Sequence, residues 1–118
     1  MVLVDTSVWI AHLHIGNRKL QALLEDAEVL THPFVIGELA CGTLRNRTDV
    51  LTLLQALPEA QVAEHTEVMS FVERERLYGR GIGWVDAHLL ASARLSGSPL
   101  WTFDRRLLNV ASALKLAL

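Results

Sequence analysis

Four acidic residues have surroundings that do not explain them. Asp5 closes the apolar run VLV, and Asp104 follows LWTF, so each stands where a strand ends and a helix starts. Glu38 lies inside PFVIGELACG, with Phe34 and Val35 at i−4 and i−3 and Cys41 and Gly42 at i+3 and i+4. Asp86 lies in GIGWVDAHLLASARLSG, on the same helical stripe as Leu89, Leu90 and Ala93. Helix capping accounts for Asp5 or Asp104 taken singly, with Ser7 as a competing cap, and a first-turn dipole contact accounts for Asp86. Neither explains Glu38, which reads as facing the interior. An arginine partner is its ordinary alternative.

Two carboxylates about 4 Å apart repel by roughly 4 kcal/mol at an effective dielectric near 20. A cluster of Asp5, Glu38, Asp86 and Asp104 therefore calls for protons or cations. A hard divalent ion such as Mg²⁺ suits an all-oxygen donor set. Such an ion attracts a phosphodiester that the bare acids would repel, activates water and stabilises a leaving oxygen. Metal-dependent hydrolysis of nucleic acid is the leading expectation. Spacing alone does not separate it from a metal-dependent phosphatase, although DTS lacks the second acid two residues after Asp5 that an aspartyl phosphatase would use. A non-catalytic RNA-binding regulatory protein, its acids merely capping helices, is the other alternative. The hydroxyls of Thr6, Ser7 and Thr102 are candidates for supporting the acids or touching phosphate.

The elements that must position these groups alternate. Val2 to Val4 predicts a strand, Val8 to Leu13 and Arg18 to Leu24 helices, and EVLTH a second strand. PFVIGELACGTLR predicts a helix with proline near its first turn, and DVLTLLQAL one that stops before Pro58. AQVAE reads as a minor strand, Thr66 to Leu77 and Trp84 to Leu95 as helices, PLWTF as a strand and Asp104 to Leu114 as the last helix. This order predicts an α/β fold with a largely parallel sheet covered by helices on both faces, its ligand site beyond the carboxyl ends of the strands.

The chain has 118 residues, 51% of them apolar and 20% charged, enough for one ordinary core in one domain. The formal net charge is −2, yet setting the four acids aside leaves nine acids against eleven Lys and Arg, a slight lean toward a polyanion. Cys41 is the only cysteine, which excludes an intrachain disulfide and fits a reducing compartment. The opening MVLVDTSVWIAHL reads as a buried strand rather than a signal peptide, and no stretch is long enough for a membrane span, so the expectation is a cytoplasmic protein without membrane association. Arg105 and Arg106, beside Asp104, are better placed for phosphate than Arg45, Arg47, Arg74, Arg76 and Arg80, and either could instead neutralise the acids. The three tryptophans read as core or dimer contacts. The five histidines form no metal-binding spacing and read as structural.

MVLVDTSVWI, THPFVIGELACG, GIGWVDAHLLASA and LWTFDRRL, in this order, resemble the PIN-domain family, specifically its VapC-type toxins. The resemblance implies a PIN-like three-layer fold over residues 1–118, with a central, mainly parallel sheet flanked by helices. It matches Asp5, Glu38, Asp86 and Asp104 to the family's acidic quartet, which holds Mg²⁺ with Mn²⁺ as substitute. Thr102 then belongs to the catalytic group, with Thr6 or Ser7 as a polar neighbour, while Arg105 is a candidate phosphate contact from its position beside Asp104 alone. The implied activity is that of an endoribonuclease toxin that leaves 3′-hydroxyl and 5′-phosphate ends, with transfer or ribosomal RNA as substrate. The implied partners are a cognate antitoxin and a second copy of the chain.

Overall fold

A computed structural model describes the whole chain, residues 1–118. Its elements are β1 (Val2–Val4), α1 (Thr6–Ile15), α2 (Arg18–Glu25), β2 (Val29–Leu30), α3 (Pro33–Cys41), α4 (Arg47–Ala56), α5 (His65–Arg74), α6 (Trp84–Ser96), β3 (Leu100–Trp101) and α7 (Arg105–Ala113). The strands form one wholly parallel sheet in the order β2-β1-β3, with Leu3 paired to both Leu30 and Leu100. All three residues of β1 are buried, which is why it reads as a continuous apolar run rather than an alternating one. From β1 the chain moves to β2 on one side and later crosses to β3 on the other. The connections thus diverge at β1, whose carboxyl end is where a parallel sheet of this kind places its ligand site.

AQVAE is not a strand. Thr31 forms a single parallel bridge with Glu59, held by Thr31 N–H to Pro58 O at 2.9 Å and Ala60 N–H to Thr31 O at 2.8 Å. The next amide, Gln61 N–H, donates instead to Ser96 Oγ at 2.9 Å, so the backbone leaves the sheet edge before a ladder can form. Helix α3 also ends earlier than expected, at Cys41, and α1 starts earlier, directly after Asp5.

The stripe expected on α6 is absent, because every residue from Ala87 to Ala93 is buried. This helix is surrounded on all sides over two turns, as a core helix should be when its sequence is rich in Ala and Leu. By contrast α7 buries only Leu107, Val110 and Ala111, an i, i+3, i+4 face. A single cluster of 26 buried apolar residues joins the sheet to the helices. No helix is long and apolar enough to cross a membrane.

One polar link crosses this core. His32 is fully buried; its Nδ1 accepts from Phe34 N–H at 3.0 Å, capping α3, and its Nε2 lies 3.1 Å from Ser92 Oγ on α6. Because Nδ1 accepts, the neutral ring carries its proton on Nε2 and donates it to Ser92. Burial, reinforced by the nearby His88, lowers the His32 pKa from 6.5 to about 4. The unfolded chain therefore binds this proton before the folded one does, so the contribution of His32 to stability is whole above pH 6.5 and declines as pH falls toward 4. The full decline corresponds to roughly 3 kcal/mol. Urea unfolding between pH 7 and pH 4 should show this loss, and His32→Asn, which keeps a cap but no basic ring, should flatten it. An equally steep loss in the variant would assign the acid sensitivity to other groups.

Candidate active site

The backbone places Asp5 first. Asp5 N–H donates to Trp101 O at 2.9 Å, which pins the end of β1 beside the end of β3. Asp5 occupies the N-cap position of α1, yet its side chain makes no capping bond. Instead its Oδ2 accepts from Ser7 Oγ and Thr102 Oγ1, each at 2.7 Å. Those hydroxyls also accept, Ser7 from Phe103 N–H at 3.0 Å and Thr102 from Asp104 N–H at 3.0 Å. Each hydroxyl has a single proton, already given to Asp5, so the 3.3 Å approach of Ser7 Oγ to Thr102 Oγ1 adds no further bond to this arrangement. The result is a closed knot that fixes the Asp5 carboxylate and the start of α7 together. Asp5 and Thr102 are themselves buried.

The other acids arrive on helix ends or faces. Asp104 caps α7, its Oδ1 accepting from Leu107 N–H at 3.1 Å. Asp86, in the first turn of α6, reaches back so that Gly83 N–H donates to its Oδ2 at 3.0 Å. Glu38 Oε1 accepts from Thr6 Oγ1 at 2.7 Å, tying α3 to α1. Glu38 is exposed, contrary to the interior position its neighbours suggested. Its helix is apolar around much of its circumference, and near the carboxyl end of α3 even Cys41 and Gly42 are exposed, so apolar company there does not mark a buried face.

A common pattern emerges: each acid has one oxygen held by a neighbour, while the other takes no hydrogen bond from the protein. No basic side chain neutralises them. The ion pairs of the structure join Met1 N to Glu28 and Arg94 to Glu75, both elsewhere. Asp86 registers the consequence. Burial pushes its carboxyl above the usual carboxylate range, the Gly83 amide pulls it down, and the charges of Asp5, Asp104 and Glu38 push it up again. All four acids therefore share one electrostatic neighbourhood. No three acidic, histidine or cysteine side chains are already gathered at metal-holding distances, so the convergence is that of a field rather than a closed cage.

Three features fit a divalent cation: an all-oxygen donor set, free oxygens on anchored carboxylates, and a field that opposes ionisation of Asp86. Of the hydroxyls named from sequence, Thr6 serves Glu38, whereas Ser7 and Thr102 serve Asp5. Arg105 is exposed and forms no ion pair with the acids. The structural reading of the histidines holds for His32, but the Nδ1 of buried His88 has no hydrogen-bond partner. Trp9 and Trp101 are core residues, while Trp84 is 39% exposed and packs against His65 and edge-on against His88. Sequence reasoning gave no role to His32 as the link between the helices bearing Glu38 and Asp86; its place directly before Pro33, at the helix start, was the available signal.

Residues 2–113 match the model of the family described as PIN domain. The chain is 52% identical over 108 residues to Ribonuclease VapC32 of Mycobacterium tuberculosis, in strain H37Rv and in strain CDC 1551, an alignment covering 91% of this chain and 87% of each relative. Among solved structures, FitAcB from Neisseria gonorrhoeae superposes with a TM-score of 0.64 at 21% identity, covering 95% of this chain and 94% of that one. PAE2754 from Pyrobaculum aerophilum does so with a TM-score of 0.62 at 21% identity, covering 92% of this chain and 78% of that one.

Asp86→Asn keeps an acceptor for Gly83 N–H and removes the charge. In metal-free buffer at pH 7 it should stabilise the fold, read as a rise in Tm, because the charge that burial and the neighbouring acids disfavour is gone. The gain should shrink as pH falls far enough to protonate Asp86 in the parent. Added Mg²⁺ should raise the Tm of the parent more than that of the variant. A variant less stable than the parent without metal would show that repulsion at Asp86 is outweighed.

Proposed function

The chain is a member of the PIN-domain family, and from that premise we propose that it is the endoribonuclease toxin of a toxin–antitoxin pair, a single nuclease unit over residues 1–118 that hydrolyses RNA phosphodiester bonds with a divalent cation. The observation that carries this reading is the set of four carboxylates without basic partners, each with one oxygen tethered, near the carboxyl end of the central strand. Its family membership and its 52% identity to a protein named as a ribonuclease favour RNA over a small phosphate ester.

Asp5, Glu38, Asp86 and Asp104 would hold Mg²⁺ or Mn²⁺. When bound, such an ion supplies Lewis-acid chemistry: an activated water and relief of charge on the leaving oxygen. The chain's own part is to prepare the ligands. Ser7 and Thr102 hold Asp5 from one side and leave its other oxygen free. Gly83 N–H turns Asp86, Leu107 N–H turns Asp104, and Thr6 turns Glu38. Preorganisation of this kind avoids the cost of ordering four flexible carboxylates during the reaction. Because water is the attacking group, the ribose 2′-hydroxyl is not consumed, and the products carry 3′-hydroxyl and 5′-phosphate ends. Transfer and ribosomal RNA are the first substrates to test. A cognate antitoxin, a second copy of the chain and the cytoplasm complete the proposed setting.

With Mg²⁺ and cellular RNA, the purified chain should cut internally and leave 5′-phosphates, read by sequencing of ligated ends. Asp86→Asn should lose activity roughly 100-fold or more, and Thr102→Val roughly 10–100-fold, the range for a group that orients a ligand. Full activity in Asp86→Asn would remove the proposed site. Release of inorganic phosphate without strand scission would replace the nuclease with the phosphatase alternative.

A further inference from the structure

Arg106 occupies a place that folding does not explain. It lies in the first turn of α7, where the helix dipole disfavours a cation. It is exposed and forms neither an ion pair nor a hydrogen bond with the protein, although Asp104 stands two residues before it. Its side chain nevertheless has a defined seat. It lies across Gly81, in the loop that leads through Gly83 to Asp86: a methyl group on Gly81 would lie 2.7 Å from Cδ, 3.2 Å from Nη1 and 3.3 Å from Nε of Arg106. Gly81 also has φ +80°, a conformation glycine adopts without strain. The glycine thus does two things: it permits the turn, and it clears room for the arginine between the segments bearing Asp86 and Asp104.

We propose that Arg106, seated on Gly81, is a substrate-binding residue that grips a backbone phosphate of the RNA strand beside the four acids. The inference rests on the ribonuclease reading and adds to it the group that offsets the acids' repulsion of a polyanion. A planar guanidinium offers paired N–H donors to phosphate oxygens, and here they are not engaged by a carboxylate. Seating the side chain on bare backbone restricts its motion before the strand arrives, so less freedom is lost on binding.

The test is steady-state cleavage of an RNA oligonucleotide with Mg²⁺ across a series of monovalent salt concentrations. Arg106→Ala should raise KM about tenfold with kcat changed less than about twofold. It should also reduce the slope of log(1/KM) against log[salt] by about 0.7, the share of one phosphate contact on a single strand. Arg106→Lys should recover the slope but not the whole of KM. Gly81→Ala should raise KM both by displacing the arginine and by straining the φ +80° turn, so its effect should be clearly smaller in the Arg106→Ala background than in the parent, the difference being the arginine's share. An active parent whose salt slope survives Arg106→Ala, or whose two substitutions act additively, overturns this proposal and leaves the nuclease reading standing. A parent that cuts no RNA with Mg²⁺ or Mn²⁺ overturns the nuclease reading, and this proposal with it.

Discussion

Mutual repulsion among four carboxylates is the constraint around which this molecule is organised. A folded chain usually relieves such charge with a neighbouring arginine or by scattering the acids across its surface. Here neither happens: burial first, and then the charges of Asp5, Asp104 and Glu38, raise the Asp86 carboxyl above the usual carboxylate range, and the ion pairs lie elsewhere. The core of 26 buried apolar residues carries the stability against which this repulsion is set. Local hydrogen bonds then use one oxygen of each acid, so the repulsion cannot be relieved simply by rotating the side chains apart.

The sheet explains why the acids meet. Three parallel strands with β1 in the middle bring the ends of β1 and β3 side by side, and Asp5 and Thr102 are the next residues on those strands. A 2.7 Å bond joins side chains 97 positions apart. Helices α3 and α6 bring Glu38 and Asp86 into the same electrostatic neighbourhood, and His32 ties the two helices together through the core with one ring nitrogen on each. The small sheet is therefore enough, because it has only to set the register of two strand ends while helices deliver the remaining groups.

Legibility varied with how local each determinant was. The apolar VLV and the proline that opens α3 are signals spanning a few residues, and these elements start where the pattern put them. Asp5 and Asp104 were equally visible, since a strand end before a helix start is a local event. AQVAE failed as a strand because Ser96, 35 residues away, takes the amide that would have continued the bridge. The stripe drawn on α6 failed because a helix buried on all sides carries no periodic contrast. Glu38 failed in the opposite sense, exposed despite apolar neighbours, since periodicity near a short helix's end does not tell which side meets solvent.

Taken alone, the order of residue types determined the α/β alternation, the membership of the four acids in one chemical class and the hydroxyls beside them, because strand ends, helix starts and ligand chemistry depend on neighbours in the chain. Tertiary structure decided which oxygen of each acid is tethered, that Ser7 and Thr102 serve Asp5 rather than cap a helix, that no arginine neutralises the cluster, and that Arg106 rests on Gly81. Those outcomes depend on distances between segments far apart in the chain. Such distances are set by the packing of the whole core, which no local run of residues encodes.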